Sequence, residues 1–566
     1  MVAVLLTSSV ALLFLPTDSS TPLPVDSDAS AAVTAASAFD RLPNGVKYNY
    51  STPSNASTTS SYTVNASAAW GTATNPYVIN TVNQWQLFIN LINANNTTYN
   101  SSTVYYVLGA DLSLSDMAPV GTSSSGFKGT LFGNKHTITV GAFNSATYAA
   151  EKTSVRMGLF DRLVGAKIYD LAVNWATKTI TNATATTCTS YVGGLAVQCD
   201  NTTVVTGVTT SLTVNRNDTK TSATVTGTSF VGGLVAHAVG GTFYKCSSTV
   251  TNTFKKATGG NTSTLYIGGI AASTAAGTLK VSSCATNVTA TGYGTRWMAG
   301  GVVGYAHASL IMQFENIAAR SNYSKYSVAG TALNINSTTE DSSCDIGSVI
   351  GWTGDVVYTA EHASYFNNIY TFGSMPGQLC GVTGGPYCAF ALKSTNIYVC
   401  GAVPANTQWG TAYNVCANTT VDANSQTTAN RANANGNISS FFTIDTSTGA
   451  FTNKSLAGSA TSTTAYTISY AVGAGASWGG SSSAPTTYTY KTSAQSITAG
   501  VSTAPTRAGY TFKGWTLSGT ATTGTVGSYS IPASSKGNLI VYATWELNAL
   551  SGSASASNAV ARKEAV

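Results

Sequence analysis

Six short segments built on glycine recur through the middle of this 566-residue chain. Met157-Gly158-Leu159-Phe160 opens the series, and Tyr191-Val192-Gly193-Gly194-Leu195-Ala196 and Phe230-Val231-Gly232-Gly233-Leu234-Val235 follow. Tyr266-Ile267-Gly268-Gly269-Ile270-Ala271, Met298-Ala299-Gly300-Gly301-Val302-Val303-Gly304 and Asp345-Ile346-Gly347-Ser348-Val349-Ile350-Gly351 complete it. The glycine centres lie about 32 to 47 residues apart, the spacing of stacked solenoid units. Between them, stretches such as Ala223-Thr224-Val225-Thr226 and Asn287-Val288-Thr289-Ala290 alternate with the period of a strand. A coil of a few short strands cannot bury its apolar face alone, so coils must stack. The reading is a parallel β-solenoid over about 100–375, with Val, Leu and Ile inward and Thr and Ser outward. A propeller would carry a blade signature, and an immunoglobulin-like array a Trp with a Cys pair at fixed spacing; neither is found.

Composition fits a stack of coils. Only 8 % of residues are charged, about a third of the usual share, and a ladder of equal charges between coils would repel. The 29 Tyr, 18 Phe and 9 Trp supply ample material to bury, which excludes charge-driven disorder. With 13 Pro and no glycine period of three, collagen is excluded. The net charge of +6 is scattered, and the only adjacent basic pair before the tail is Lys255-Lys256, so no stripe can track phosphates. No nucleic-acid partner is expected. Beyond the first fifteen residues the apolar runs are too short to cross a bilayer, so no transmembrane span is expected in the mature chain.

The first twenty residues read as a secretory signal, with Val10 to Leu15 as the apolar run and Pro16 ending it. Residues 21–75, rich in Ser, Thr and Ala, read as a linker. Thr81 with Gln84 resembles a capping box, and Trp85, Phe88, Ile89 and Ile92 then share one helical face. Acceptor sequences for N-glycosylation occur at Asn49, Asn55, Asn65, Asn100, Asn182, Asn201, Asn217, Asn261, Asn287, Asn322, Asn336, Asn418, Asn437 and Asn453. None of the nine Cys forms a C-x-x-C pair and only four His exist, so disulfides are favoured over a zinc site. Cys380 and Cys388 are the candidate pair, because a short loop joins them within a Cys-containing connector over 376–462.

The Gly-Gly-Leu units resemble the GLUG-motif repeats of surface and adhesin-like proteins, over about 77–375. Trp85-Gln86-Leu87-Phe88, Pro119-Val120-Gly121, Phe127-Lys128-Gly129-Thr130-Leu131-Phe132-Gly133-Asn134 and His136-Thr137-Ile138 are similar to the opening of that family's right-handed β-helix. The last motif glycine is replaced in three units, and Ser348 replaces another. Ala504-Pro505-Thr506-Arg507-Ala508-Gly509-Tyr510-Thr511-Phe512-Lys513-Gly514-Trp515, with Ile531-Pro532-Ala533 and Gly537 to Glu546, resembles the internalin B-repeat, also called the Listeria–Bacteroides repeat. Together the two resemblances imply an all-β chain: a right-handed parallel β-helix over 76–375, then a small β-grasp-like domain over 463–547 and a tail over 548–566.

Catalysis needs convergent titratable groups. His136 sits in the family's opening motif and reads as structural. His237 and His307 share an Ala-His-Ala setting without a nucleophile or acid beside them, and Glu361-His362 reads as a solvated turn. Asp111, Asp161 and Asp170 are the carboxylates to weigh for a glycosidase pair. No phosphate loop, dinucleotide fingerprint or Asp-rich calcium turn is present, so no cofactor or metal is expected. The expectation is a non-catalytic extracellular or cell-surface protein in adhesion or matrix structure, its partner a surface glycan, a protein or a second copy. A filament or coat subunit is the alternative, and a carbohydrate-active β-helix lyase or glycosidase the second.

Overall fold

Almost every element is a strand, and from Tyr77 to Asp422 the strands lie parallel in stacks. The computed structural model describes residues 38–40, 47–51, 59–65, 68–115, 117–141, 154–182, 187–218, 226–255, 264–292, 296–325, 344–353 and 364–373. Toward the C-terminus it describes 379–380, 393–399, 421–422, 436, 442–448, 450–453, 465–472, 476–478, 484–497, 504–517, 528–533 and 535–548.

Each coil passes through four ladders. The first is a seven-stranded sheet running from Ser154–Met157 through Thr187–Gly193, Thr226–Gly232, Thr264–Gly268 and Arg296–Gly300 to Cys344–Gly347 and Leu379–Cys380. The second is a six-stranded sheet of Phe160–Leu163, Ala196–Cys199, Val235–Ala238, Ala271–Thr274, Val303–Ala306 and Ile350–Thr353. The third and fourth are the two arms of an 18-stranded sheet. Lys167–Tyr169, Val204–Thr206, Gly241–Tyr244 and Gly277–Ser282 lie in the third, and Ala172–Trp175, Thr209–Asp218, Ser247–Lys255 and Ala285–Gly292 in the fourth. The solenoid expected from the repeats is present. Parallel pairing also continues past about 375, through Lys393–Val399 to Val421–Asp422.

The glycine motif is the corner between the first two ladders. A Cβ on Gly193 would collide with Ala196 O in its own corner, and one on Gly194 with Gly233 O of the next coil. The first glycine permits the tight bend and the second permits coils to approach. Leu195, Leu234 and Ile270 then fill the corner, each fully buried. Opposite them the interior is polar. Thr210, Ser248 and Thr286 stack in register on the fourth ladder, and Thr210 Oγ1 and Ser248 Oγ donate to Gly233 O and Gly269 O at 2.7 and 2.5 Å. Thr and Ser are therefore not confined to the outside: buried glycine carbonyls need donors, and these hydroxyls supply them.

From Asp170 onward a second corner joins the third and fourth ladders through one left-handed residue per coil, where the coil before it has two, Asn134 and Lys135. Asp170 (φ 48°), Gly207 (66°), Lys245 (51°), Ser283 (57°), Asn316 (53°), Asn368 (54°) and Asn396 (55°) form this column. The residue after each points inward: Leu171, Val208, Cys246, Cys284, Ile317, Ile369 and Ile397, all buried. Cys246 and Cys284 are thus apolar plugs in a column of aliphatics, and none of Cys188, Cys199, Cys246 and Cys284 is in a disulfide. The side chains of Cys380 and Cys388 lie outside the described residues.

The helix Val82–Asn93 forms as expected, its Thr81–Gln84 capping box in place and Trp85, Phe88, Ile89 and Ile92 buried. Phe88 packs on Tyr106 and Phe127 at the start of the coil stack, at 4.6 and 5.4 Å between ring centroids. Other segments cover apolar strips on the outside of the solenoid. Tyr50 and Tyr62, from the hairpin of Lys47–Ser51 and Thr59–Thr63, lie with Ala471 and Ile540 against Val78, Val107, Phe132 and Tyr169. Phe442 and Ile444, in a hairpin with Phe451–Asn453, cover Ala285, Ala318 and Tyr370. The C-terminal strands form a mixed six-stranded sheet in which Ala465–Ala471 and Leu539–Leu547 pair parallel. Its aromatic core holds Tyr466, Tyr488, Trp515 and Tyr529. Trp515 is buried and Trp545 half-buried, the latter donating Nε1 to Val472 O at 2.9 Å.

Candidate binding groove

One outward strip carries aromatic rings with a cavity beside them. In the first ladder the residue two before each motif glycine faces out, and strand register stacks Arg156, Tyr191, Phe230, Tyr266 and Met298 in one column. Tyr191 and Phe230 stack at 4.7 Å and 3°, and Phe230 and Tyr266 at 4.6 Å and 15°. These distances equal the coil rise and exceed the ring-to-ring contact thickness, so each ring is offset from the next like a stair. Tyr305 meets Tyr266 edge-on at 5.9 Å.

The facing wall comes from the second ladder, where Arg162, Gln198, His237, Ser273, Tyr305 and Trp352 stack in register. The tight glycine corner brings the two outward columns together around an open cavity of about 500 Å³. One wall is aromatic and the other polar, uncharged over Gln198, His237 and Ser273, with Arg162 at its start donating to Ser123 O at 3.1 Å. Asp161, a carboxylate at its edge, is taken up by Arg156: Nε–Oδ1 is 2.7 Å and Nη2–Oδ2 3.2 Å, and register places Asp345 next after Met298 at the far end of the aromatic column. The same guanidinium lies 5.7 Å from the Tyr191 ring centroid, closing that end of the stack.

His237 sits at the centre of the polar wall. Its Nδ1 is 2.9 Å from Ser273 Oγ, and Ser273 directs its own hydroxyl hydrogen to Ala236 O at 3.4 Å. Ser273 Oγ must therefore accept from Nδ1–H, which leaves Nε2 with a lone pair. Burial holds the imidazole below its ordinary pKa, helped by the positive charge of Arg156 and by His307. The ring is neutral near pH 7 and presents an acceptor. Neither Nε2 nor the Gln198 amide has a partner among the described residues.

The other titratable groups do not converge here. His136, fully buried, bonds Asp111 through Nδ1 at 3.0 Å beneath the C-terminal sheet, where Gly537 lies against its ring. His307 is at the end of the second ladder, its Nδ1 accepting from Ser309 N at 3.1 Å. Asp170 occupies the left-handed corner, so Asp111, Asp161 and Asp170 stand at three separate places. Glu361 and His362 lie outside the described residues. Of the groove, His237 and the edge carboxylate Asp161 were singled out in the sequence. Arg156, Gln198 and the stair of rings were missed, although the aromatic two positions before the glycine recurs in three units.

The glycosylation acceptors are spread widely. Asn65 and Asn201 are exposed, Asn201 Oδ1 accepting from Thr278 N at 2.7 Å, while Asn217, Asn287 and Asn322 are half-buried on the fourth ladder. Asn100 is buried, its Nδ2 donating to Gly126 O at 3.0 Å and its Oδ1 accepting from Lys128 N at 2.9 Å, so this amide is engaged in the fold. Asn49, Asn182 and Asn453 lie in strands with side chains outside the described set; Asn55, Asn261, Asn336, Asn418 and Asn437 fall outside the described residues.

Among the described residues no group of His, Cys, Asp and Glu is placed to hold a metal ion. No helix among them is long and apolar enough to cross a membrane. No protein-family model matches the chain, and no curated protein or solved structure matches it either.

Proposed function

We propose that this is a non-catalytic extracellular protein of the cell-surface class, acting in adhesion or surface structure through its solenoid groove. The observation that carries this is the open groove with an aromatic wall and a polar wall, at whose edge the carboxylate of Asp161 is spent on Arg156. Hydrolysis or elimination of a glycan asks for a carboxylate pair or a base beside a free acid, and binding asks for neither. The apolar leader and the likeness of the glycine units and C-terminal segment to GLUG-motif and internalin B-repeat proteins support the same class, as association. On this reading the C-terminal sheet is a β-grasp-like accessory module.

The test is incubation of the secreted protein with a polysaccharide panel, following both retention and product release. Binding without new reducing ends or unsaturated products is expected. Turnover lost on replacing Asp161 with Asn would replace this reading with the glycan-cleaving one.

A further inference from the structure

We infer that the groove is a subsite for an uncharged polysaccharide chain lying along the solenoid axis, its sugar rings on the Tyr191–Phe230 stair and a hydroxyl donated to His237 Nε2. This deepens the adhesion reading and rests on it. Four structural features select that ligand.

The first is direction. The aromatic wall is built by stacking equivalent positions of successive coils, so it repeats along the axis with steps of 4.7 and 4.6 Å. An extended polysaccharide advances by a comparable length per sugar, and each ring offers an apolar C–H face to a stair of this pitch. A compact ligand would use only one step.

The second is charge. Arg156 is neutralised by Asp161, and His237 is an uncharged acceptor because Ser273 Oγ occupies its Nδ1–H. A polyuronate would place carboxylates against the Nε2 lone pair, where the one guanidinium lining the cavity, Arg156, is already paired. A neutral sugar loses nothing here.

The third is hydrogen-bonding stoichiometry. The polar wall offers an acceptor at Nε2, and the Gln198 amide offers both a donor and an acceptor. Adjacent sugar hydroxyls are each donor and acceptor, so one pair can satisfy both side chains while the remaining hydroxyls face the water at the open side.

The fourth excludes a peptide. Both flanking ladders are paired coil to coil, and the groove lies on their faces, so no free strand edge is available for β-augmentation. An extended peptide would bring a row of amides to a wall with two polar partners, leaving most of them unpaired.

The experiment uses the full secreted chain in affinity electrophoresis and calorimetry. The probes are hydroxyethyl cellulose, xyloglucan and galactomannan as neutral chains, and polygalacturonate and alginate as charged ones. At least one neutral chain should bind, with affinity changing less than twofold between low and 0.5 M salt, whereas a charge-driven complex would lose affinity steeply. Phe230→Ala and Gln198→Ala should each weaken binding about tenfold or more, with far-ultraviolet dichroism and melting midpoint near those of the parent. Tyr365→Ala, on a different outer strip, should leave it unchanged.

Failures separate cleanly. Retention on target cells or matrix that survives Phe230→Ala and Gln198→Ala would overturn the groove assignment and leave the adhesion reading standing. Preference for the polyuronates, or for an extended peptide competitor, would overturn the ligand class. Release of new reducing ends would overturn the adhesion reading beneath it.

Discussion

Asn538, in the C-terminal sheet, bonds Asn134 across 404 positions of sequence: its Nδ2 donates to Asn134 Oδ1 at 3.0 Å and its backbone N–H to Asn134 O at 3.4 Å. Tyr542 and Asn80 make a second such link, and Ile540 and Ala471 bury apolar surface between them. Alternation along Leu539–Leu547 sends Ile540 to the solenoid and Val541 to the separate apolar cluster of the C-terminal sheet.

Ile540→Asp is therefore expected to undock the module without unfolding it. A carboxylate buried among Val78, Val107 and Phe132 has no partner there. Hydrogen exchange should rise in Tyr77–Ile79 and Thr130–Phe132, while Tyr510–Thr516 keeps its protection. Unchanged exchange in the first two strands would contradict the docking.

Gly233→Ala should cost about 1–3 kcal/mol, the range for forcing a methyl into a filled interior. The new Cβ would meet Gly269 O and, at 2.5 Å, Ser248 Oγ. Urea titration measures it. A variant as stable as the parent would mean that coil spacing is looser than this contact requires.

Binding in the groove should decline with acid. Protonation of His237 turns Nε2 from acceptor into donor, and burial places that event below the ordinary histidine value of 6.5. The charged groups facing it are Arg156 with Asp161, and His307 is the other imidazole nearby. The linkage has the same sign for stability: below 6.5 the unfolded chain binds a proton that the folded one refuses, so stability falls with pH through this window. His237→Gln keeps an acceptor and should flatten the acid limb of binding, which titration calorimetry from pH 7 to 5 will show.

Asp170 works in the opposite direction. Burial raises its carboxyl from 3.8 to about 7, against the pull of Lys135 and Lys245. Between those values the folded chain holds a proton that the unfolded chain has lost, so this group's contribution is full below 3.8 and disappears as pH rises through about 7. Asparagine tolerates the left-handed corner, as Asn316 and Asn368 do, and cannot titrate. Asp170→Asn should gain stability relative to the parent between pH 4 and pH 8, read from melting midpoints at each. A constant difference across that range would count against the buried acid.

The solenoid was legible because its constraint is local. A corner with so little room for Cβ atoms writes Gly-Gly in four of the six motif segments, and the alternation around it gives the strands. The second corner left almost no such mark, since Asp170, Lys245, Ser283 and Asn316 share a backbone conformation and little chemistry. Cysteines read as disulfide formers proved, at Cys246 and Cys284, to be aliphatic substitutes in an inward column. The groove was partly hidden for a related reason. Tyr191 and Phe230 stand in the quoted motifs, but only strand register reveals that they touch, and Arg156 and Gln198 belong to no motif at all.

The left-handed corner divides the coil into a part that keeps time and a part that does not. From Asp170 to Asn396 every coil spends one residue there, so an insertion beside Lys245 would turn the following side chains inside out. The stretches from Asn182 to Thr187, Asp218 to Thr226, Lys255 to Thr264, Gly292 to Arg296 and Lys325 to Cys344 differ in length yet return the chain to the same ladder. All five leave from one edge. That edge is where foreign sequence can be spliced in, coil by coil, with the beat of the stack undisturbed.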